Sequence, residues 1–215
     1  MKTNAVQQLS KARIPTQYGE FTLCVYQADN DPKEHLAIIM GEVEGERDVL
    51  LRVHSECFTG DVLGSQRCDC GEQLERSLQL ISRRGQGGVL YLRQEGRGIG
   101  LIDKLKAYNL QDEGHDTVDA NILLGHAPDL RDYGIAALMI RDLGIRSIKL
   151  MTNNPKKISE LRQYGIPITE RVALNPRQVN RENRRYLMTK LRRMDHLLDL
   201  DNELEGGRVS PAALP

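Results

Sequence analysis

The 215-residue chain has no tryptophan, only two phenylalanines, four cysteines, and no surplus of charge, since thirty lysines and arginines balance thirty aspartates and glutamates. It also lacks any apolar run approaching the roughly 18 residues that cross a bilayer. Its start, Met1 to Arg13, is too polar for a secretory signal. Each lack excludes something. Binding that coats nucleic acid or an anionic membrane needs a cation surplus, so neutrality argues against both, and any basic site must be local. Four cysteines are too few for a disulfide scaffold, and three of them cluster, which in a reducing compartment favours metal binding or catalysis. The expectation is a soluble cytoplasmic protein with no nucleic-acid or membrane partner. What is present is 40% hydrophobic residues, enough to bury a core and to exclude global disorder.

Short apolar runs at Phe21 to Val25, Leu36 to Met40 and Val49 to Val53, parted by turns such as Asn30-Asp31-Pro32, read as strands. Leu74, Leu78 and Ile81 then recur at helical spacing, with Gly85 as a C-terminal stop. Gly87 to Leu92 reads as a buried strand, and Leu101, Leu105 and Tyr108 as one helix face running up to Gly114. A further helix spans Pro128 to Leu143, a strand Ile145 to Met151, and a helix opens at Pro155, where proline suits the first turn. Arg181 to Leu200 reads as a charged terminal helix. Strands alternating with helices predict an α/β fold, a layered mixed sheet flanked by helices. Residues 1–200 are expected to form one compact domain. Residues 201–215, rich in Gly, Ala and Pro from Glu203, read as a flexible tail.

Cys57, Cys68 and Cys70 have ten residues and then one between them. Three thiolates can ligate a tetrahedral zinc with one position left open, the count typical of catalytic rather than structural sites. Two alternatives stand beside this: His54 closes a structural site, or the cysteines are buried hydrophobes without metal. Cys24 sits in a strand-like run and reads as packing. His54-Ser55-Glu56 forms the His-x-Glu half of a zinc nucleobase-deaminase signature, but the Pro-Cys-x-x-Cys half is missing. A deaminase is the second enzyme reading, and a zinc-stabilised nucleotide-binding module without turnover is a third. Glu56 has the blander reading of a solvated turn residue.

Arg52, Arg93, Arg97, Lys156 and Lys157 fall at or just beyond predicted strand ends, where α/β sheets place ligand crevices. Glu95-Gly96-Arg97-Gly98-Ile99-Gly100 is a glycine-rich turn that would let backbone amides approach phosphate oxygens. It lacks the Lys-Ser/Thr ending of a P-loop, so a simple tight turn is an equal reading. Thr152-Asn153-Asn154-Pro155-Lys156-Lys157 places polar groups at a helix N-terminus, again an anion-binding arrangement or merely a solvated first turn.

Taken together, Arg52-Val53-His54-Ser55-Glu56-Cys57, Arg67-Cys68-Asp69-Cys70-Gly71, Arg93-Gln94-Glu95-Gly96-Arg97, Lys106-Ala107-Tyr108, Asp116-Thr117 and Thr152-Asn153-Asn154-Pro155-Lys156-Lys157 resemble the GTP cyclohydrolase II family over roughly residues 12 to 198. The resemblance implies a hydrolase that opens the guanine ring of GTP. It would release formate and pyrophosphate and leave a diaminopyrimidine ribosyl monophosphate, in the first committed step of riboflavin synthesis. It implies zinc on Cys57, Cys68 and Cys70, with Mg on the GTP phosphates. It implies GTP contacts from Arg52, Val53, His54, Ser55 and Glu56, from Gln73, from Glu95, Gly96 and Arg97, and from Thr117, Thr152 and Lys157. Catalytic work falls to Tyr108, to Asp129 as proton acceptor and to Arg131 in the diphosphate-releasing step. The resemblance also implies a homodimer, and the dihydroxybutanone phosphate synthase module fused to such enzymes in many bacteria is expected to be absent. One departure stands near the end, where Arg193-Met194-Asp195-His196 has an aspartate at the expected glycine.

Overall fold

The computed structural model describes residues 5–127, 129–177 and 179–199; the expected tail over 201–215 lies outside the described residues. A seven-stranded sheet forms the spine. Its antiparallel half comprises β1 (Val6–Thr16), β2 (Gly19–Ala28) and β3 (Asp31–Met40), joined as consecutive hairpins. The parallel half comprises β4 (Val49–Ser55), β5 (Gly87–Leu92), β6 (Ile148–Met151) and β7 (Ile168–Val172). The halves join where β3 pairs antiparallel with β5, giving the order β1-β2-β3-β5-β4-β6-β7. Among the described residues, seven helices accompany the sheet: α1 (Phe58–Asp61), α2 (Cys70–Arg84), α3 (Gly100–Asp112), α4 (Thr117–Leu123), α5 (Gly134–Asp142), α6 (Pro155–Gln163) and α7 (Arg184–Arg193). No helix among the described residues is long and apolar enough to cross a membrane.

Strand alternation decides which side chains serve the core and which serve the site. Along β4, Val49, Leu51 and Val53 enter one apolar cluster with Ile135, Ala136 and Met139 of α5, while Leu50 enters a second with Ile81 of α2. Arg52 and His54 share the Leu50 face, because side chains alternate across a strand. Glycines make the packing possible on β5. A Cβ on Gly87 would lie 2.4 Å from the Leu50 carbonyl oxygen at φ +146°, and one on Gly88 would lie 2.5 Å from Ile39 Cδ1.

The strands around residues 21–25, 36–40, 49–53 and 87–92 lie where the apolar runs predict. So does α2, which ends on Gly85 in the left-handed conformation. Other elements differ. β1 and β7 carry almost wholly exposed side chains, so neither shows an apolar pattern; backbone pairing to β2 and β6 makes them strands. α4 is short and is opened by Asp116, whose carboxylate accepts from the Val118 and Asp119 amides. The turn expected at Asn30-Asp31-Pro32 lies at residues 29–30, and Pro32 is within β3. There β3 has only the bulged edge of β2 beside it, since pairing with β5 begins at Leu36, so the missing proline N–H disturbs no ladder. The strand expected from Ile145 begins at Ile148. α5 begins at Gly134 rather than near Pro128, because Asp129 and Asp132 bond the amides of Arg131 and Gly134 and hold local turns there. α7 is shorter than the predicted 181–200 and is followed by Asp195 at φ +52°.

Gly87→Ala is expected to destabilise the fold by about 1–3 kcal/mol through overpacking, with added backbone strain. Urea unfolding followed by circular dichroism checks this, and a midpoint equal to wild type would contradict the packing account.

Candidate active site

β4 lies between β5 and β6, so the chain leaves β4 in one direction and returns past it in the other. In open α/β sheets this switch opens a crevice beyond the strands' C-terminal ends. A cleft lies there, walled by the segments that follow β4, β5 and β6. Every predicted site residue lines it except Val53 and Asp129.

One wall is the cysteine cluster. Cys57 directly follows the β4 segment, Cys68 lies in the turn before α2, and Cys70 is the first residue of α2. Their sulfurs lie within 4.8 Å of one another, and among the described residues no histidine or carboxylate joins that group. Two glycines allow the approach. A Cβ on Gly71 would stand 2.2 Å from the Gly60 carbonyl oxygen, and one on Gly60 would stand 3.0 and 3.1 Å from Cys68 and Cys57 Sγ. Hydrogen bonds from Cys68 and Cys70, reinforced by the Lys104 ammonium 3.1 Å away, pull the Cys57 thiol far below its usual value. Sharing with that thiolate pushes Cys68 up to about 12 and raises Cys70 as well. Cys70 also sits at a helix N-terminus, which favours negative charge. This trio can hold a metal ion.

His54 supports the loop rather than ligating with the thiols. Its Nε2 lies 3.0 and 3.1 Å from the Asp61 carboxylate oxygens, and Asp61 also accepts from the Cys57 amide at 2.9 Å and the Tyr91 hydroxyl at 2.8 Å. Burial lowers the His54 imidazole value despite Asp61. Glu95 is engaged in the same way, accepting from Lys104, from its neighbour's Gly96 amide and from the Phe58 amide that opens α1. Tyr108 reaches down to this wall, its hydroxyl 3.2 Å from Thr59 Oγ1, and burial raises its phenol so that it stays protonated.

The opposite wall is cationic. Of the five cations at strand ends, Arg52, Arg97 and Lys157 face the cleft, whereas Arg93 pairs with Glu56 at 3.0 Å and Lys156 with Glu160 at 3.5 Å. Arg52 is buried, bonded to the Met151 carbonyl and to Gln73. Lys157 donates to the Val53 carbonyl at 2.5 Å, which is how Val53, itself in the core, takes part. Burial, with Arg52 and Arg131 nearby, pushes the Lys157 ammonium well down. Arg97 is different. Residues 96 and 97 are both left-handed, at φ +61° and +63°, and both terminal nitrogens of the Arg97 guanidinium are buried without a partner. The guanidinium lies over the Tyr186 ring at 5.9 Å, and its open donors on a strained backbone leave it able to take a ligand. Ser55, Gln73, Thr117 and Thr152 complete the lining, with the Thr152 hydroxyl accepting from the Asn154 amide.

Asp129 lies behind Arg131, which grips it through Nε at 2.8 Å and Nη2 at 2.6 Å. Burial would raise the Asp129 carboxyl, but Arg131 holds it down to about 2. Sequence reasoning missed Lys104, Asp61 and the contribution of α7 and its exit, which bring Tyr186, Lys190 and His196 to the cleft. Lys190 pairs at 2.5 Å with the buried Asp69, which also accepts from Gln73. α7 itself was legible as a charged terminal helix, but nothing in its pattern aimed Tyr186, Lys190 or His196 at the cleft.

Gly71→Ala is expected to weaken metal binding about tenfold or more, although Gly71 offers no ligand, because the Gly60 carbonyl must move and with it the cysteine loop. Competition with a chelator measures this, and unchanged affinity would contradict it. The depressed Asp129 value gives a second expectation. Its pairing adds stability that is fully present above about pH 4 and is lost as pH falls through about 2, roughly 2 kcal/mol by the size of the shift. The stability gap between wild type and Asp129→Asn should therefore narrow in acid, measured by urea unfolding at stepped pH.

The profile of the GTP cyclohydrolase II family matches residues 7–173. The riboflavin biosynthesis protein RibBA of Bacillus subtilis (strain 168) is 54% identical over 197 residues, covering 91% of this chain and 49% of that one. That of Salinispora tropica is 55% identical over 194 residues, covering 90% of this chain and 48% of its own length. The chain thus spans about half the length of these relatives. The GTP cyclohydrolase-2 of Aeromonas hydrophila subsp. hydrophila is 50% identical over 194 residues, 90% of this chain and 98% of that one. With the profile covering most of the sequence and these identities beside it, the chain belongs to the GTP cyclohydrolase II family.

Proposed function

We propose that the protein is a GTP cyclohydrolase II that opens the imidazole ring of GTP, releasing formate and pyrophosphate and leaving a diaminopyrimidine ribosyl monophosphate for riboflavin synthesis. The observation that carries this reading is a single cleft with three converging thiols on one wall and, on another, the Arg97 guanidinium whose terminal nitrogens have no hydrogen-bond partner. A guanine nucleotide has a ring to hydrolyse and a polyanion to hold, and the cleft offers a group for each.

The donor set fits zinc: three sulfurs, buried or half-buried, whose second and third protons leave only against a strong local positive charge. Zinc bound there supplies Lewis acidity that brings water toward ionisation at neutral pH. The chain's own residues do the remaining work. Tyr108, kept protonated beside the thiols, is placed to give a proton to the ring nitrogen released on opening. Arg131, oriented by Asp129, presents positive charge where the diphosphate departs. A guanidinium is a poor nucleophile, so charge stabilisation is its role in this reading. With its carboxylate gripped and held near 2, Asp129 is a weak base and acts by fixing Arg131. Glu56 and Glu95 are taken by Arg93 and Lys104, so Mg would travel with the triphosphate rather than rest on them.

We assign the protein to the cytoplasm, where its four free thiols stay reduced. We also assign it a homodimer. Phe58, Val62 and Leu63 in and after α1, and Ile102 and Leu105 on α3, are large apolar side chains left exposed on elements joined by the Thr59–Tyr108 contact. Sedimentation should show a dimer that Ile102→Glu weakens; a wild-type monomer would overturn this assignment.

Incubation with GTP and Mg should yield formate and pyrophosphate together, and ammonia without formate would instead support a deaminase. Tyr108→Phe keeps the ring but deletes the donor, so formate release should fall about 100-fold while pyrophosphate release continues. Arg131→Ala should lower pyrophosphate release about 100-fold. Equal loss of both products in Tyr108→Phe would contradict this division.

A further inference from the structure

The chain leaves α7 through a corner that delivers one side chain into the cleft. Asp195, where the family pattern has glycine, adopts φ +52°, and the following amides are pinned, His196 N to the Lys190 carbonyl at 3.0 Å and Leu197 N to the Asn153 carbonyl at 2.8 Å. His196 thereby lines the cleft, with its Nε2 buried and without a partner. The charged groups facing it come from four elements: Lys190 on α7, Arg131 before α5, Lys157 on α6 and Arg97 in the turn after β5. The nearby carboxylates are spent, Asp69 on Lys190 and Asp129 on Arg131. A buried imidazole nitrogen with no hydrogen-bond partner, set among basic side chains, is satisfied by an anion once it carries a proton.

We propose that His196 contacts the phosphate chain of the nucleotide and takes up a proton as the nucleotide binds. The inference rests on the GTP reading and deepens it. In the free protein, burial and then the charges of Lys190, Arg131 and Lys157 push the imidazole down to about 2, so it is neutral. A polyanion in the cleft offsets the positive charge of these basic side chains and presents an oxygen acceptor to Nε2, and both changes favour imidazolium. His196 is thus a group whose charge appears only with the substrate, where another permanent cation would add repulsion to the free site. It also explains why the exit from α7 is held in a left-handed turn, since an extended residue at 195 would carry the imidazole elsewhere.

The probes are the α,β-methylene analogue of GTP, which keeps the triphosphate intact, and inorganic triphosphate, each with Mg and the zinc-loaded protein. Calorimetry in buffers of differing ionisation heat reads proton uptake at neutral pH. Wild type should take up a proton with both probes, whereas His196→Gln should bind each about tenfold more weakly and take up none. Equal uptake in the variant would assign the proton to another group, Lys157 foremost, and overturn the proposal, as would binding by wild type without uptake. Should His196→Gln fail to fold, imidazole-labelled wild type decides by resonance spectroscopy: one histidine signal moves to its protonated position on adding the analogue, and its absence overturns the proposal. Formate release from GTP by wild type tests the GTP reading separately, so a failure of either is recognised on its own.

Discussion

The reversal of strand order at β4 is the constraint on which the rest depends. Because β4 is paired in parallel on both sides, its C-terminal end and those of β5 and β6 open together, and each is followed by a segment that reaches into the gap. The loop of the cysteine cluster follows β4, the left-handed turn bearing Arg97 follows β5, and the helix N-terminus bearing Lys157 follows β6. Alternation along β4 adds Arg52 and His54 to the floor, opposite the core face of Leu51 and Val53. The antiparallel hairpins at the other side of the sheet contribute none of the cleft-lining residues.

The cleft gathers more charge than a buried region tolerates; three of its cations are paired with carboxylates, while Arg52 and Lys157 are bonded to backbone carbonyls instead. Lys104 with Glu95, Lys190 with Asp69 and Arg131 with Asp129 are pairs with both partners largely buried. Such pairs add little net stability, because desolvation offsets their attraction, but breaking one is costly, so each holds its segments in one arrangement. Glu95 ties α3 to the start of α1, and Asp69 ties the cysteine turn to α7. Against this background the unpaired groups stand out. Arg97 and His196, like Arg52 Nε and His54 Nδ1, have nitrogens with no hydrogen-bond partner, and all of them belong to side chains that line the same cleft.

The thiol cluster shows how close packing and chemistry meet. Three sulfurs converge because two backbone segments touch at Gly60 and Gly71, nearer than any side chain would permit. His54, Asp61 and Tyr91 then lock the loop from below through the Cys57 amide.

Much of this was legible in the sequence. The central strands, α2 with its glycine stop, and the cysteine trio announced themselves through periodicity, punctuation and spacing, which are local properties of a chain. The edge strands β1 and β7 were not legible, because hydrogen bonding to a neighbour makes them and no apolar pattern is needed. Spacing also suggested which cations lie near strand ends, yet it could not separate Arg97, left unpartnered, from Arg93, spent on Glu56, since pairing is decided by residues distant in the chain. The aspartate at position 195 was visible as a departure, but its left-handed backbone and the imidazole it delivers were not. The sequence by itself determined the family, the cysteine trio and the class of fold; only the tertiary structure decided which charges are paired and which are left without a partner, because burial and pairing are properties of the packed chain.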